Sequence, residues 1–109
     1  MIEFYCAYQD YIYLMSLIEN LFSKIISSLN FSSNFKYQDL RINFKTPFTK
    51  IKFYDSIEKY AEGIDSSKFN DKKYIEGYCS ENSIKISDKG SIVKMHLDIF
   101  DKMVEKELI

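Results

Sequence analysis

The alternation of side chains over residues 2–8 constrains the fold of this chain more than any other feature of its sequence. Apolar side chains occupy every second position and would share one face: Ile2, Phe4, Cys6 and Tyr8. A period of two that uses aromatic and β-branched residues is typical of a β-strand. We therefore predict a strand over residues 2–8, with Cys6 as a small core residue on its apolar side.

The opposite face of this predicted strand carries a carboxylate, a phenol and a small side chain, from Glu3, Tyr5 and Ala7. An ammonium group could donate a charge-assisted hydrogen bond to Glu3 and a second hydrogen bond to Tyr5, because the two lie on one pleat. Ala7 would leave room beside them. The alternative is an ordinary solvated face, which the pattern alone favours because charged residues are usually exposed.

Helical patterning begins directly after the predicted strand. Apolar residues recur at steps of three and four over residues 10–30, so we predict a long amphipathic helix that lies across a sheet. Asp10 is the expected N-cap, because its carboxylate can accept the unpaired amide hydrogens of the first turn. Residues 34–38 and 40–44 then predict two short strands, joined tightly near Asp39 as a hairpin.

The rest of the chain is predicted to be mostly helical. Helical spacing covers residues 54–62 and 71–81, and Ser-Asp-Lys-Gly at residues 87–90 is a start signal for a last helix. The predicted apolar stripe of that helix is Ile92, Val93, Leu97, Phe100, Met103 and Val104. The sequence thus indicates an α+β fold, with a strand, a long helix, a small β-hairpin and then mostly helices.

Length and composition limit the number of domains and the kinds of partner. The chain has 109 residues, enough for one domain at most, and its 46% hydrophobic and 28% charged residues are typical of a globular protein. The formal net charge of −1 argues against a general nucleic-acid or membrane-surface binder and against a strong phosphate-binding patch. No membrane-length apolar run or secretory signal is evident, so we expect a cytoplasmic protein, with an organelle as the alternative.

The other reactive side chains give weak signals. Cys6 and Cys79 have no spacing that suggests a metal site, and a disulfide between them is the less favoured alternative. His96 is the only histidine, and we predict a surface or boundary residue with no catalytic role. The carboxylates near residues 98–107 alternate with lysines, which is typical of a solvated helix face, so no metal site is predicted.

Three stretches of the sequence, in order, resemble the class II lysyl-tRNA synthetases. E-F-Y-C-A-Y-Q-D-Y-I-Y-L-M at residues 3–15 is similar to the second strand of motif 2 and its following helix, with the family pattern E-[FL]-Y-x-A-Y-x-D-Y-x-x-L-[MI]. T-P-F-T-K-I-K-F-Y-D-S-I at residues 46–57 resembles P-F-x-[RK]-[LI]-T-x-x-[ED]-A-I, with Lys52 in place of a threonine N-cap. I-F-D-K-M-V-E-K-E-L-I at residues 99–109 resembles the helix that precedes a strand reading I-Q-P-T-F.

The resemblance implies a single partial domain over residues 1–109, a fragment of an antiparallel-sheet catalytic domain from the second strand of motif 2 onward. Its parts are the motif 2 strand and helix, the hairpin region and the helical region, at residues 1–30, 31–53 and 54–109. The resemblance also implies that Glu3 and Tyr5 bind lysine. Tyr5 would contact the side-chain ammonium, and Glu3 one of the two amino groups of lysine.

The resemblance further implies which parts of the reaction lie elsewhere. Intact members of the family use ATP and magnesium to activate lysine and transfer it to tRNA, with arginines in motifs 2 and 3 and acidic magnesium ligands. The single arginine of this chain, Arg41, falls in the predicted hairpin. We therefore predict no catalytic, cofactor-binding or metal-binding residue here, and an inactive isolated chain. The alternatives are a stand-alone, non-catalytic protein-interaction module and, less favoured, a free lysine-binding module.

The predicted strand over residues 2–8 would also have an unpaired edge. Such an edge exposes backbone donors and acceptors, and its apolar face would be only partly covered by the following helix. We therefore expect the isolated chain to be self-associating or molten, and to become ordered with a complementary synthetase fragment that completes the sheet.

Overall fold

The structure, a computed structural model, describes residues 3–108 and divides the chain into two units, Met1–Thr49 and Lys50–Ile109. The first unit holds a long helix and a two-stranded sheet: α1 (Tyr11–Ser28), β1 (Asn34–Tyr37) and β2 (Leu40–Asn43). The second unit is helical: α2 (Phe53–Tyr60), α3 (Lys72–Glu81) and α4 (Ile92–Ile99), with 3-10 turns at Ser66–Lys68 and Glu105–Glu107 and a π-helical turn at Phe100–Val104. These elements fit the predicted α+β class.

Helix α1 begins where the sequence predicts. Asp10 is its N-cap, and Oδ1 accepts hydrogen bonds from the amides of Ile12 and Tyr13, both at 3.0 Å. Phe22 of α1 stacks on Phe44 with ring centroids 5.0 Å apart. No residue of α1 is fully buried, however, because two strands of four residues are too small to cover a helix of 18 residues.

The hairpin follows the predicted pattern. In the antiparallel register Phe35 faces Ile42 and Lys36 faces Arg41. The Phe35–Ile42 pair is half-buried and the Phe35 ring stacks on Phe44 at 5.7 Å, whereas Lys36 and Arg41 are exposed. Successive pairs alternate between faces as the pleat requires. The turn residue Gln38 has φ 52°, the left-handed conformation that tight hairpin turns use.

The predicted strand over residues 2–8 is wrong for the part that the structure describes; Ile2 lies outside it. Residues 3–6 are irregular and Ala7 and Tyr8 form a turn, with Tyr8 at φ 57°. A strand is stable only when a neighbour pairs with its backbone, and β1 pairs with β2 instead. The prediction that Cys6 is a core residue is wrong for the same reason: without a sheet, nothing covers it, and Cys6 is exposed.

The second unit has a continuous hydrophobic core, which helices α2, α3 and α4 share with the segments that follow α3 and α4. Its buried members are Ile57, Ala61, Ile75, Tyr78, Cys79, Ile84, Met95, Ile99 and Val104. Asp71 caps α3, and its Oδ1 accepts from the amides of Lys73 and Tyr74. Lys52 at the start of α2 makes no side-chain cap hydrogen bond, as predicted, since an ammonium group has no acceptor.

The predicted apolar stripe of the last helix is confirmed in part: Val104 is buried and Ile92, Phe100 and Met103 pack against the core, but Val93 and Leu97 do not. Met95, His96 and Ile99 are buried, whereas Val93 and Leu97 are exposed. The prediction of His96 as a surface or boundary residue is therefore wrong. A polar ring can replace an apolar side chain in a core when both of its nitrogens find partners, which is the case here.

The part of the chain from residue 3 to residue 108 contains no helix long and apolar enough to cross a membrane.

Candidate functional site

The segment before α1 carries the two predicted lysine ligands. Glu3 and Tyr5 are both exposed, and the Tyr5 side chain is 93% exposed. The segment leads directly into the Asp10 cap, so Tyr5 lies five residues before a fixed helix start. The structure places both side chains in solvent and does not bring them together with a cavity. Their assignment to lysine stays a prediction.

Arg41 lies on β2, as predicted, directly opposite Lys36. Both are exposed, and the pair stands on the hairpin face that points away from the stacked rings of Phe35 and Phe44. Arg41 is therefore placed as a surface cation of the hairpin, separate in sequence from the segment with Glu3 and Tyr5.

His96 is buried, and each of its two ring nitrogens has a polar partner. Nε2 lies 3.1 Å from the carbonyl oxygen of Phe69, and Nδ1 lies 3.4 Å from the hydroxyl of Tyr54. A carbonyl only accepts, so Nε2 carries the proton and the unprotonated Nδ1 accepts from Tyr54. Burial lowers the pKa of His96, and the hydrogen bond to the Phe69 carbonyl opposes this only in part. The ring is therefore neutral near pH 7.

Aromatic rings complete the surroundings of His96. The ring of Tyr54 meets it edge-on at 5.3 Å between centroids, and that of Phe69 at 5.5 Å. No nucleophile contacts the imidazole among the hydrogen bonds of residues 3–108, because both nitrogens are occupied by a phenol and a carbonyl. The arrangement ties α4 to α2 and to the loop before α3. These contacts pack the second unit, and the absence of a catalytic role for His96 stays a prediction.

The core also contains a buried thiol, from Cys79, and a buried phenol, from Tyr78. Burial raises the pKa of Cys79 and that of Tyr78, so both remain protonated at neutral pH. The Tyr78 hydroxyl donates to the Glu62 carbonyl at 2.9 Å. Cys6 and Cys79 form no disulfide within the described chain.

Two acidic residues of the second unit, Asp88 and Asp98, accept hydrogen bonds from the loop between α3 and α4. Asp98 accepts hydrogen bonds from the amide and hydroxyl of Ser87, at 2.8 and 3.0 Å. Asp88 accepts from the Gly90 amide at 2.7 Å, which is the main reason why the pKa of Asp88 is lowered, and Lys94 adds to the effect. Over residues 3–108 no three groups of His, Cys, Asp or Glu converge as a metal site would require.

The grooves of the second unit are shallow and charged. One of about 440 Å³ opens beside α3 and is lined by Glu76, Ser80, Ile84, Lys85, Ile86 and Lys89. It contains no pair of groups arranged for acid–base or nucleophilic chemistry. Neither this groove nor the environment of His96 carries a signal that sequence reasoning could have found, because both depend on residues brought together by the fold.

Comparison with known proteins identifies the family. A family model described as tRNA synthetases class II (D, K and N) matches residues 1–103. The proteins named lysine–tRNA ligase from Psychrobacter cryohalolentis and Wigglesworthia glossinidia brevipalpis are each 36% identical to this chain, over 99% and 100% of its length. The one from Campylobacter jejuni subsp. jejuni is 33% identical over 99%.

The same comparisons limit how much of such a protein is present. The aligned region covers 21%, 22% and 21% of these three relatives, so the chain spans about a fifth of the length of the curated relatives it matches. The family model nevertheless matches almost all of this chain, and the match begins at the segment with Glu3 and Tyr5. The chain therefore belongs to the tRNA synthetases class II (D, K and N), and it corresponds to one part of the lysine–tRNA ligases.

Proposed function

We propose that residues 1–109 form part of the catalytic domain of a lysine–tRNA ligase and contribute one wall of its lysine pocket. One observation carries the proposal: the curated relatives that align with this chain from end to end are named for lysine. The E-F-Y-C-A-Y-Q-D-Y segment lies at the start of the aligned region, immediately before the capped helix α1.

The chemistry of the pocket wall rests on Glu3 and Tyr5. The ammonium of lysine donates to the Tyr5 hydroxyl, and the Glu3 carboxylate accepts from one of the two amino groups of the substrate. Both side chains are exposed and available to a ligand. Residues 3–6 are irregular and Ala7 and Tyr8 form a turn, so in the proposal the rest of the catalytic domain holds these two side chains in place.

The cationic residues of this chain indicate that ATP is bound by other parts of the enzyme. Adenylate formation needs fixed positive charge beside the phosphates and the carboxylate of the amino acid. The chain has one arginine, Arg41, which lies on the hairpin opposite Lys36. In the proposal, ATP, magnesium and the acceptor end of tRNA are held by other parts of the enzyme, and residues 1–109 alone do not activate lysine.

The test is lysine-dependent exchange of pyrophosphate into ATP. Residues 1–109 alone should give none, and mixing them with a fragment that supplies the rest of a lysine–tRNA ligase catalytic domain should restore it. In the mixture, Tyr5→Phe should weaken the use of lysine by about 1–3 kcal/mol, the cost of one lost hydrogen bond. Tyr13→Phe removes the same hydroxyl from α1 and should change nothing.

Two results would contradict the proposal. Exchange by residues 1–109 alone, with contaminating synthetase excluded, would show that other parts of the enzyme are not needed to activate lysine. A rate in the restored mixture that Tyr5→Phe leaves unchanged would remove Tyr5 from the lysine site.

A second candidate function, a non-catalytic protein-interaction module, is favoured by the surface of α1. This helix has no buried residue, and its exposed apolar side chains include Tyr11, Ile12, Met15, Ile18, Leu21 and Ile25. A monomer seldom leaves so much apolar surface in water. We propose that this surface drives self-association of the isolated chain or binding to a complementary synthetase fragment. Sizing chromatography distinguishes the two, because only the synthetase fragment should convert aggregates into a discrete complex with exchange activity.

A further inference from the structure

The outward face of the hairpin carries two cations on directly opposite residues of its two strands. Lys36 and Arg41 are cross-strand partners, and both side chains are exposed. Directly opposite residues have Cβ atoms about 4.5–5.5 Å apart, and like charges in such a pair destabilise a sheet. Neither cation takes part in an ion pair within residues 3–108. The pair therefore costs stability and has no internal partner to offset the cost.

The charges around this pair are also predominantly positive. Residues 34–45 contain Lys36, Arg41 and Lys45 but a single carboxylate, Asp39 in the turn. Neutral amide side chains flank the cations, because Asn34 faces Asn43 on the same side of the sheet. Charges more than about 8–10 Å away are screened at physiological salt, so the charges nearest to the pair dominate the local field. The overall net charge of −1 thus hides a local basic face.

A groove rich in hydroxyl groups adjoins the hairpin. It has a volume of about 200 Å³ and is lined by Ser23, Ile26, Ser27, Ser33, Phe44, Lys45 and Thr46. This lining holds four hydroxyls and one lysine and no carboxylate. Hydroxyls and amino groups are common donors to phosphate and sugar oxygens of nucleic acids. Arg41 is not among these lining residues, because it lies on the hairpin face that points away from Phe44; its guanidinium can bind a phosphate in a bidentate manner on that outward face.

We propose that the basic hairpin face, formed by Lys36 and Arg41, binds the phosphate backbone of RNA. The choice of RNA rests on the proposed function, since tRNA is the nucleic acid on which such an enzyme acts. The contact is electrostatic and independent of base sequence, as phosphate contacts are. It positions the RNA and plays no part in the activation of lysine.

The test measures binding of the full chain to unfractionated tRNA as a function of salt, without lysine or ATP. The slope of log affinity against log salt should fall by about 0.7–0.9 for each phosphate contact removed, hence by about 1.4–1.8 for the double variant Lys36→Gln/Arg41→Gln. A matched control, Lys85→Gln/Lys102→Gln, removes two exposed lysines from a groove of the second unit that also holds Asp98 and Asp101, and should leave the slope unchanged.

A loss of RNA binding that is caused by misfolding can be recognised from the melting temperature. Relief of the like-charge pair should leave the melting temperature of the hairpin variant equal to or higher than that of the unmodified chain, while its affinity for RNA falls. Equal losses in the two double variants, an unchanged slope, or no binding of tRNA at low salt would overturn the proposal. Competition by poly-glutamate as effective as that by RNA would assign the face to an acidic protein and overturn the RNA assignment. Because lysine exchange is not measured here, failure of this test leaves the proposed lysine pocket standing.

Discussion

Truncation of Ile99 tests the packing of the second unit most severely. Ile99 is 0% exposed on α4 and shares the core with Met95 and Val104. Ile99→Ala removes buried apolar surface and leaves a cavity, which costs about 2–5 kcal/mol. A unit of about 60 residues, at about 0.05–0.15 kcal/mol per residue, has about 3–9 kcal/mol of stability in all. The substitution should therefore remove a large share of it.

The assay is urea unfolding followed by far-ultraviolet circular dichroism. Ile99→Val, which keeps most of the side chain, should cost about 0.5–1.5 kcal/mol. Leu97→Ala is the matched control on the same helix: Leu97 is 46% exposed, so its truncation should cost far less than that of Ile99. If Leu97→Ala lowers the free energy of unfolding as much as Ile99→Ala, then α4 does not pack by the face that contains His96 and Ile99, and the argument for that face fails.

Three further outcomes follow from capping and burial. Lys52→Thr should add a side-chain acceptor at the start of α2 and stabilise the chain by about 0.5–2 kcal/mol in urea unfolding, whereas Lys52→Ala should add nothing. Asp10→Ala should cost a similar amount and reduce the helical circular dichroism signal of α1, and Asp10→Asn, which keeps an acceptor, should not. The pKa of His96 is lowered on folding, so the unfolded chain takes up the proton first; stability should be full above about pH 6.5 and decline as the pH falls below it. In urea midpoints measured between pH 7.5 and 5.5, His96→Gln should remove most of this decline, and an unchanged slope would show that other groups cause it.

Elements with local determinants were predictable from the sequence. The start of α1 depends on Asp10 and amides two and three residues later, and the hairpin on a two-residue turn with alternating residues on either side. Both signals are complete within a few residues of chain, so no knowledge of the rest of the fold is needed.

Features that depend on distant partners were not predictable. The burial of His96 requires the Phe69 carbonyl, 27 residues away, and the Tyr54 hydroxyl, 42 residues away. Two positions of the predicted stripe, Val93 and Leu97, were therefore wrongly expected in the core, since they look as apolar in the sequence as the residues that are buried. The strand over residues 2–8 fails in the described part because a period of two shows only which residues share a face, and pairing needs a neighbouring strand.

The candidate functional residues were also predictable only in part. Chemistry alone made Glu3 and Tyr5 suitable for an ammonium ion but favoured an ordinary solvated face, and the family resemblance supplied the assignment to lysine. The basic pair of Lys36 and Arg41 was hidden by the near-zero net charge, and only the register of the hairpin brings the two side chains opposite each other.

A chimera tests whether this segment forms one wall of a lysine pocket. Residues 1–109 would replace the aligned segment of the lysine–tRNA ligase from Psychrobacter cryohalolentis, which is 36% identical over 109 residues. If this segment forms one wall of a lysine pocket, the chimera should exchange pyrophosphate with lysine within about tenfold of the parent rate, a loss of about 1.4 kcal/mol or less. Glu3→Ala in the chimera should then reduce the exchange. A chimera that melts like the parent enzyme but shows no lysine-dependent exchange would contradict the account.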